Sequence, residues 1–372
     1  MPATLSRTPL YQAHIQLGAR IAPFAGWEMP VQYRGIVAEH RAVRTSWGIF
    51  DVSHMGRINV SGADAVAFLD WIATADIAGL LDGRARYGVV CQEDGGILDD
   101  VVVLRKPDGE MLMVCNASNR STILEWLQSR RFGFDVDIDD DTEKTAMIAV
   151  QGKESAAQLD VLLNGPVSPL RRFGAAELLW QGERGLASRT GYCGEDGFEL
   201  VVQAHVAPKL WAVLLDAGAT PCGLGARDSL RLEAGLLLYG NDIDATTTPL
   251  EAGLERFVAW DGAEFVGKDA LLEARRRGPA RKLVAFSALA RGPIPRHGHL
   301  IFHEGRQVGS VTSGGFSPTV ATAIGLGYVG AEDSATGAHL EVEVRGVRVA
   351  VEVVDLPFYK KKPLQGGPKE AR

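Results

Sequence analysis

Two places in the chain run from a β-like stretch through a glycine directly into an amphipathic helix. They are "INVSG" followed by "ADAVAFLDWIA" (58–73) and "IAVQG" followed by "KESAAQLDVLL" (148–163). After the first come three extended pieces, "ARYGVVCQ", "GGILDDVVVLR" and "EMLMVCN", joined by the turn sequences "EDGG" and "KPDG". The helix "ASNRSTILEWLQSRR" follows, with Asn116 or Ser118 as its N-cap. After the second come "AELLWQG", "GLASRTGYCG" and "GFELVVQ", then the helix "HVAPKLWAVLLDAG". Each helix must bury one stripe and each strand at least one face, so this order packs helices on a sheet. Its recurrence predicts an internal duplication of two α+β units; on pattern alone, coincidence of a common element order is the alternative.

The flanks differ in texture. Residues 1–50 carry a helix pattern over 8–18, a Pro/Gly/Trp-rich loop "APFAGWEMPVQY" and a second helix around 35–48, and "GIFDVSHMGRINVSG" then reads as a strand with turns. Beyond the charged, Gly-Pro-containing segment "EARRRGPARK" (273–282), helix nearly vanishes. "KLVAFSAL", "GHLIFHEG", "RQVGSVTSG", "AIGLGYVG", "HLEVEVRG" and "VRVAVEVV" are short strands split by glycine-containing turns. That is an all-β sandwich or barrel of roughly 90 residues.

Composition narrows the class. A formal net charge of -7 on 372 residues argues against a general nucleic-acid binder, which would show a basic face. The four cysteines form no CxxC or CxH pairing, which fits a reducing cytosol better than a zinc site or a disulfide scaffold. No apolar run of about 18 residues offers a membrane span, and the N-terminus lacks the apolar core of a signal peptide. The expectation is a cytoplasmic globular protein.

Several motifs point nowhere. "GLGYVG" (325–330) matches a dinucleotide pattern but lies among strands, with no helix N-terminus to receive a pyrophosphate. "GAEFVGKD" (262–269) resembles a phosphate loop, yet Asp269 stands where a hydroxyl is needed and Glu264 would repel phosphate; it reads as a turn before a helix. His297, His299 and His303 lie at even spacing on a strand without an acidic or cysteine ligand, so no metal is expected there.

More informative is "GGILDDVVVLR" (95–105), where Asp99 and Asp100 precede a run that is apolar at every position. Neighbouring strand residues face opposite ways, so one acid should point where water is scarce. Three further stretches place polar groups in glycine-pinned or buried-looking surroundings. "FDVSHMG" holds Met55, "SRTGYCGEDGFEL" holds Tyr192, Glu195, Asp196 and Glu199, and "GLGARDSLRLEAG" starts a helix with Arg227, Asp228 and Arg231. With Tyr87, such a set suits a flat heteroaromatic ligand, stacked on a ring while a carboxylate accepts its N–H groups. By residues alone, Glu199 could equally be a solvent-facing strand residue and Arg227 a surface helix residue.

Together with "TPLYQAHIQLGARIAPFAGWEMPVQY", "EHRAVRTSWGIFDVSHMG", "GLLLYGNDIDATTTPLEAGL", "FVGKDAL", "GSVTSGGFSPT" and "LPFYKKK", these motifs resemble the aminomethyltransferase (T-protein) family of the glycine cleavage system nearly end to end. Related folate enzymes fused to an FAD domain have no counterpart of that domain here, and iron–sulfur-assembly folate binders carry Lys-Gly-Cys where this chain reads "GYCGED". Cys193 stands where the family usually has Thr, which puts a loop hydroxyl contact in doubt.

The resemblance implies an α+β fold of two ferredoxin-like-related units with exchanged strands, plus a C-terminal Greek-key β-barrel, arranged as a cloverleaf. Residues 1–275 would form the folate-binding region, with units at roughly 50–140 and 145–250 and the N-terminal segment packed on the second; 276–372 would be the barrel. It implies tetrahydrofolate as acceptor co-substrate, the lipoylated H-protein as partner, and no metal or nucleotide. Matched by motif, Asp100 becomes the catalytic acid, with Asp99 in a structural or solvated role on the other side of the strand. Glu199 would anchor the pterin, Met55, Tyr87, Val102 and Tyr192 would line the cleft, Asn116 would offer an amide, and Arg227, or else Arg231, would bind ligand. Lys360 and Lys361 would stand near the folate tail. Another folate-dependent demethylase of the same fold, or a non-catalytic folate-binding module, are the competing readings.

Overall fold

The computed structural model describes residues 5–163 and 165–360. The N-terminal segment forms helix α1 (Tyr11–Gln16), a hairpin of β1 (Arg20–Phe24) and β2 (Trp27–Gln32), helix α2 (Ile36–Thr45) and strand β3 (Gly48–Asp51). The hairpin stands where a loop was expected. Pro30 sits inside β2, and a proline demotes a strand when read from sequence, but this two-stranded ribbon has no central position to disrupt.

The first repeat runs β4 (Gly56–Ser61), α3 (Ala65–Ile72), β5 (Arg84–Cys91), β6 (Ile97–Arg105), β7 (Met111–Cys115), α4 (Arg120–Arg130) and β8 (Asp137–Asp140). The second runs β9 (Thr145–Gln151), α5 (Ser155–Leu162), β10 (Ala175–Trp180), β11 (Glu183–Ser188), β12 (Gly197–Gln203), α6 (Ala207–Asp216) and β13 (Thr220–Pro221). The sheets are ordered β5-β6-β7-β4-β8 and β10-β11-β12-β9-β3-β13, so β3 precedes the first repeat in the chain yet is a strand of the second sheet.

Matching details accompany the matching order. Asp70 of α3 accepts from the backbone N–H groups of Ile77 (2.7 Å) and Ala78 (2.9 Å), and at the same offset Asp160 of α5 accepts from Val167 (2.7 Å) and Ser168 (2.9 Å). The two sheets meet edge to edge in a reciprocal pair, Ala85 N–H to Phe173 O (2.8 Å) and Ala175 N–H to Gly83 O (2.7 Å).

Side-chain parity sorts the strands. Val101 and Val103 of β6 pack under α3 and α4 with Phe68, Leu69 and Ile123, whereas Leu104 and Val102 face the space between the sheets. On β12, Phe198, Leu200 and Val202 pack under α6 with Leu210 and Trp211, while Val201 faces that same inter-sheet space. Burying a side chain such as Phe68 or Phe198 contributes about 1.5–3 kcal/mol each, so this sorting fixes which acids can face the inter-sheet slot.

Helix α7 (Leu224–Glu233) and helix α8 (Lys268–Arg277) lead to β14 (Arg281–Ala288), β15 (Leu300–His303), β16 (Arg306–Phe316), β17 (Ala323–Gly330), β18 (His339–Val344) and β19 (Val347–Val354). All six strands lie where the sequence placed them. They close into a barrel ordered β14-β17-β16-β15-β18-β19, and the placing of β14 beside β17 rather than β15 is a Greek-key crossing. An apolar cluster including Val89, Ile97, Leu237, Leu254, Ala285 and Leu326 seals the barrel against the first repeat.

Candidate active site

The "GGILDD" turn is pinned by its surroundings. A side chain on Gly96 would place its Cβ 2.1 Å from the Ala245 carbonyl, and Ile97 N–H donates to Thr247 O (2.9 Å). The turn therefore packs tightly on the 244–247 loop, and β6 leaves it with both acids held in place.

Asp99 is fully buried on the helix side of the sheet and is surrounded by donors. Its Oδ2 accepts from the Asn116 backbone N–H (2.9 Å), and its Oδ1 accepts from Asn116 Nδ2 (2.8 Å) and Asn119 Nδ2 (2.8 Å). This corrects the solvated alternative: its role is structural. Asp100 is half-buried and faces the slot; its Oδ1 accepts from the same Asn116 Nδ2 (2.7 Å) and its Oδ2 from Tyr87 Oη (3.2 Å). One amide thus bridges two carboxylates. Asn116 is consequently not the side-chain cap expected for α4, which instead begins after a 3-10 turn, Ala117–Asn119, with no side-chain cap.

Burial raises both acids above the ordinary carboxylate range; Asp99 is raised further by the charge of Asp100, while the Asn116 and Tyr87 bonds hold Asp100 back. The sequence expected one acid in a water-poor position, and both are there. Tyr87 is pushed well above its usual value by burial and by Asp100, so it stays a hydroxyl donor. Its ring meets Phe257 edge-on at 4.6 Å.

On the second repeat, Glu199 occupies the inter-sheet side of β12. Thr190 Oγ1 donates to its Oε2 (2.5 Å), and among the described residues its Oε1 has no hydrogen-bond donor. The Tyr192 hydroxyl donates to Leu237 O, and the Arg227 guanidinium lies 4.6 Å over the Tyr192 ring. Burial raises Tyr192, and Arg231, Asp100 and Arg227 all act on its charge, so these groups lie within electrostatic reach of the first-repeat acid. Met55 and Val102 pack against the inter-sheet cluster with Cys193, Ala226 and Leu230.

Arg227 and Arg231 separate clearly. Arg227 makes no ion pair among the described residues. Arg231 is 2 % exposed and fully engaged, with Asp228 (2.9 Å), Asp242 (2.7 Å), Leu236 O (3.2 Å) and Ser313 Oγ (2.8 Å). It ties α7 to the barrel and is not available to a ligand. The Cys193 thiol donates to Gln151 Oε1 (3.0 Å). Lys360 is exposed, and Lys361 lies outside the described residues.

Motifs set aside in the sequence are engaged elsewhere. "GLGYVG" lies within β17, and Lys268 of "GAEFVGKD" donates to the carbonyls of Gly262 (2.8 Å) and Ala263 (3.2 Å) as α8 begins. His297, His299 and His303 have separate partners, Thr312 O, Arg296 N–H and Asp333. Residues the sequence did not single out include Asn119, which completes the cage of Asp99, Asp242, which receives Arg231, and Arg57. The last is fully buried and donates to the carbonyls of Ser53 (3.0 Å), Met55 (2.5 Å) and Thr145 (3.1 Å), fixing the loop that carries Met55.

Two descriptions of known families match. "GCVT N-terminal domain" covers residues 10–262, and "Glycine cleavage T-protein C-terminal barrel domain" covers 281–360. The repeated α/β units, the closed barrel and the acid-floored slot thus define an enzyme of the GCVT transferase class. An aminomethyltransferase of Rubrobacter xylanophilus is 48% identical over 96% of this chain and 95% of its own length. One of Bacillus subtilis is 42% identical over 96% and 100%. The crystal structure of glycine cleavage system aminomethyltransferase T from Bartonella henselae superposes with a TM-score of 0.90 at 37% identity, covering 95% of this chain and 98% of that one. The chain belongs to the aminomethyltransferase (T-protein) family of the glycine cleavage system.

Proposed function

We propose that this chain transfers the methylene carbon of an aminomethyl group, carried as a thioaminal on the lipoyl arm of the H-protein, to tetrahydrofolate. The products are 5,10-methylenetetrahydrofolate, ammonia and the dihydrolipoyl arm. The observation that carries the reading is the Asp100 carboxylate, facing the slot and held by Tyr87 and Asn116. The family relationship supports it. The proposed setting is the cytoplasm; the four cysteines are free and buried, and among the described residues no helix is long and apolar enough to cross a membrane.

The residues fit a folate substrate. The free Glu199 Oε1 can accept from pterin N–H groups, and the Tyr192 ring, Met55 and Val102 supply flat and apolar walls. Arg227, which makes no ion pair among the described residues, can meet a polar or anionic part of the ligand.

The chemical problem is to let an N–C–S carbon become cationic and be captured by the folate amine before water reaches it. A fixed carboxylate beside that carbon stabilises the charge as it develops, and more strongly where water is excluded. Asp100 is also raised toward neutrality, which suits it to exchanging a proton with the departing amine. Tyr87 and Asn116 hold its two oxygens so that it need not reorganise during the reaction. Mixing the chain with tetrahydrofolate and aminomethylated H-protein and measuring ammonia release tests this. A binding module would take up folate and release none; a demethylase would need a different methyl donor.

A further inference from the structure

The loop that carries Tyr192 joins β11 to β12 with little backbone bonding of its own. Among the described residues, 191–194 make no backbone–backbone hydrogen bond. Side chains hold the loop instead. Gln151 donates from Nε2 to Thr190 O (3.1 Å) and accepts from the Cys193 thiol. Gly194, in the left-handed region, packs on the end of α7, where a side chain would bring its Cβ to 2.8 Å from Ala234 Cβ. A segment without ladder bonds keeps one geometry only through such ties.

A further tie comes from Arg44, on α2. Its Nη1 donates to Cys193 O (2.7 Å) and Glu195 Oε1 (3.1 Å) in the loop. Its Nη2 donates to Leu230 O (3.3 Å) and Glu233 Oε2 (3.0 Å) on α7, and its Nε donates to the same Glu233 oxygen (3.2 Å). The side chains of Arg44, Glu195 and Glu233 are 6%, 3% and 0% exposed, so water cannot stand in for a lost bond. Glu233 is fixed in turn by His40 (3.1 Å), the Ser317 hydroxyl and the Thr319 N–H (2.9 Å), and the Tyr359 ring covers the Arg44 guanidinium at 4.1 Å. One planar guanidinium thus spans loop and helix, which the compact ammonium of a lysine cannot do.

Both ends of this bridge lead to the slot. Cys193 directly follows Tyr192, and Leu230 lies three residues beyond Arg227, whose guanidinium stands over the Tyr192 ring (4.6 Å). We propose that Arg44 is a positioning residue for this wall: it acts through Tyr192 and Arg227, fixing the ring and the guanidinium relative to each other. The inference rests on the folate reading of the slot given above. The first-repeat groups Asp100, Tyr87 and Asn116 bond to one another and not to Arg44. Loss of the bridge therefore lowers the fraction of chains with a binding-competent wall and weakens apparent affinity by that fraction, while the chemical step on bound substrate stays nearly intact.

Tetrahydrofolate is titrated calorimetrically into the full chain, and single-turnover ammonia release from aminomethylated H-protein is timed at saturating tetrahydrofolate. Arg44→Gln should raise the Kd about tenfold and change release at saturation by less than about threefold. Arg44→Lys, which keeps the charge but not the planar fork, should recover only part of that loss. In a Tyr192→Leu background, Arg44→Gln should change the Kd by less than about twofold, because a group it acts through is gone. Should Arg44→Gln fold poorly, Glu195→Gln weakens only the loop end of the bridge and should raise the Kd about threefold. An unchanged Kd in these variants overturns the proposal. So does an Arg44→Gln effect of equal size with and without the Tyr192 ring, or a release rate at saturation that falls as much as affinity, since either would make Arg44 a general structural support. Failure of the wild-type chain to bind tetrahydrofolate would instead refute the proposed function itself.

Discussion

Asp99→Asn is a stringent test of how the two acids divide their roles, because Asp99 is held by three donors. In the native arrangement its oxygens accept from the Asn116 N–H, the Asn116 amide and the Asn119 amide. Asparagine in either orientation turns an NH2 toward at least one of these donors, so one or two charge-assisted bonds are lost and a buried donor faces another donor. Lost bonds to a charged acceptor amount to about 1.5–3 kcal/mol each. The opposing gain is relief of a carboxylate that burial and Asp100 both disfavour. The net expectation is a destabilisation of about 2–4 kcal/mol, read as a lowered urea midpoint at unchanged m. The folded variant should keep methylene transfer within about tenfold, since Asp100 still has Tyr87 and Asn116. A stability change within about ±0.5 kcal/mol would mean that Asp99 behaves as a surface residue and would refute the caged geometry.

Asp100→Asn should behave in the opposite way in stability. Its amide can keep an oxygen toward Asn116 and turn its NH2 toward the Tyr87 oxygen, so no donor conflict arises. Because burial raises the folded-state value of Asp100, the folded protein holds a proton that the unfolded chain has released. Native stability therefore falls as pH rises from the ordinary carboxylate range through the raised value. The variant should match wild type in urea unfolding in mild acid and be the more stable protein at slightly alkaline pH; a constant difference across that window would contradict the assigned shift. Glu199→Gln should weaken tetrahydrofolate binding by about 1–3 kcal/mol if its free oxygen accepts from the pterin, and unchanged calorimetric affinity would exclude that contact.

What the sequence could and could not show follows from how far apart the interacting residues lie. The six barrel strands were legible because each is a local run ended by a glycine-containing turn. The repeated strand-glycine-helix order was legible for the same reason, and Asp70 and Asp160 repeat one side-chain bond to the turn that follows the helix. The placement of β3 in the second sheet was not, since it depends on pairing Phe50 with Ala149. Asn116 looked like a helix cap because capping is a local signal, whereas its amide is claimed by acids on a different strand. Strand parity correctly placed Asp99 and Asp100 on opposite sides of β6. It could not say that helices cover one side and a second sheet the other, which leaves both acids short of water. Arg227 and Arg231 lie one turn apart on one helix, and the contacts with Asp242 and Ser313 are what mark Arg231 as the structural one.

The central claim is that Asp100 acts on the reacting carbon rather than on folate binding. Tetrahydrofolate affinity and single-turnover ammonia release from aminomethylated H-protein should be measured side by side for wild type and Asp100→Asn. The account predicts affinity within about threefold of wild type and release slower by about 10²–10⁴-fold, the range lost with a positioned acid–base group. Near-normal release, or a loss accounted for entirely by weaker folate binding, would contradict it.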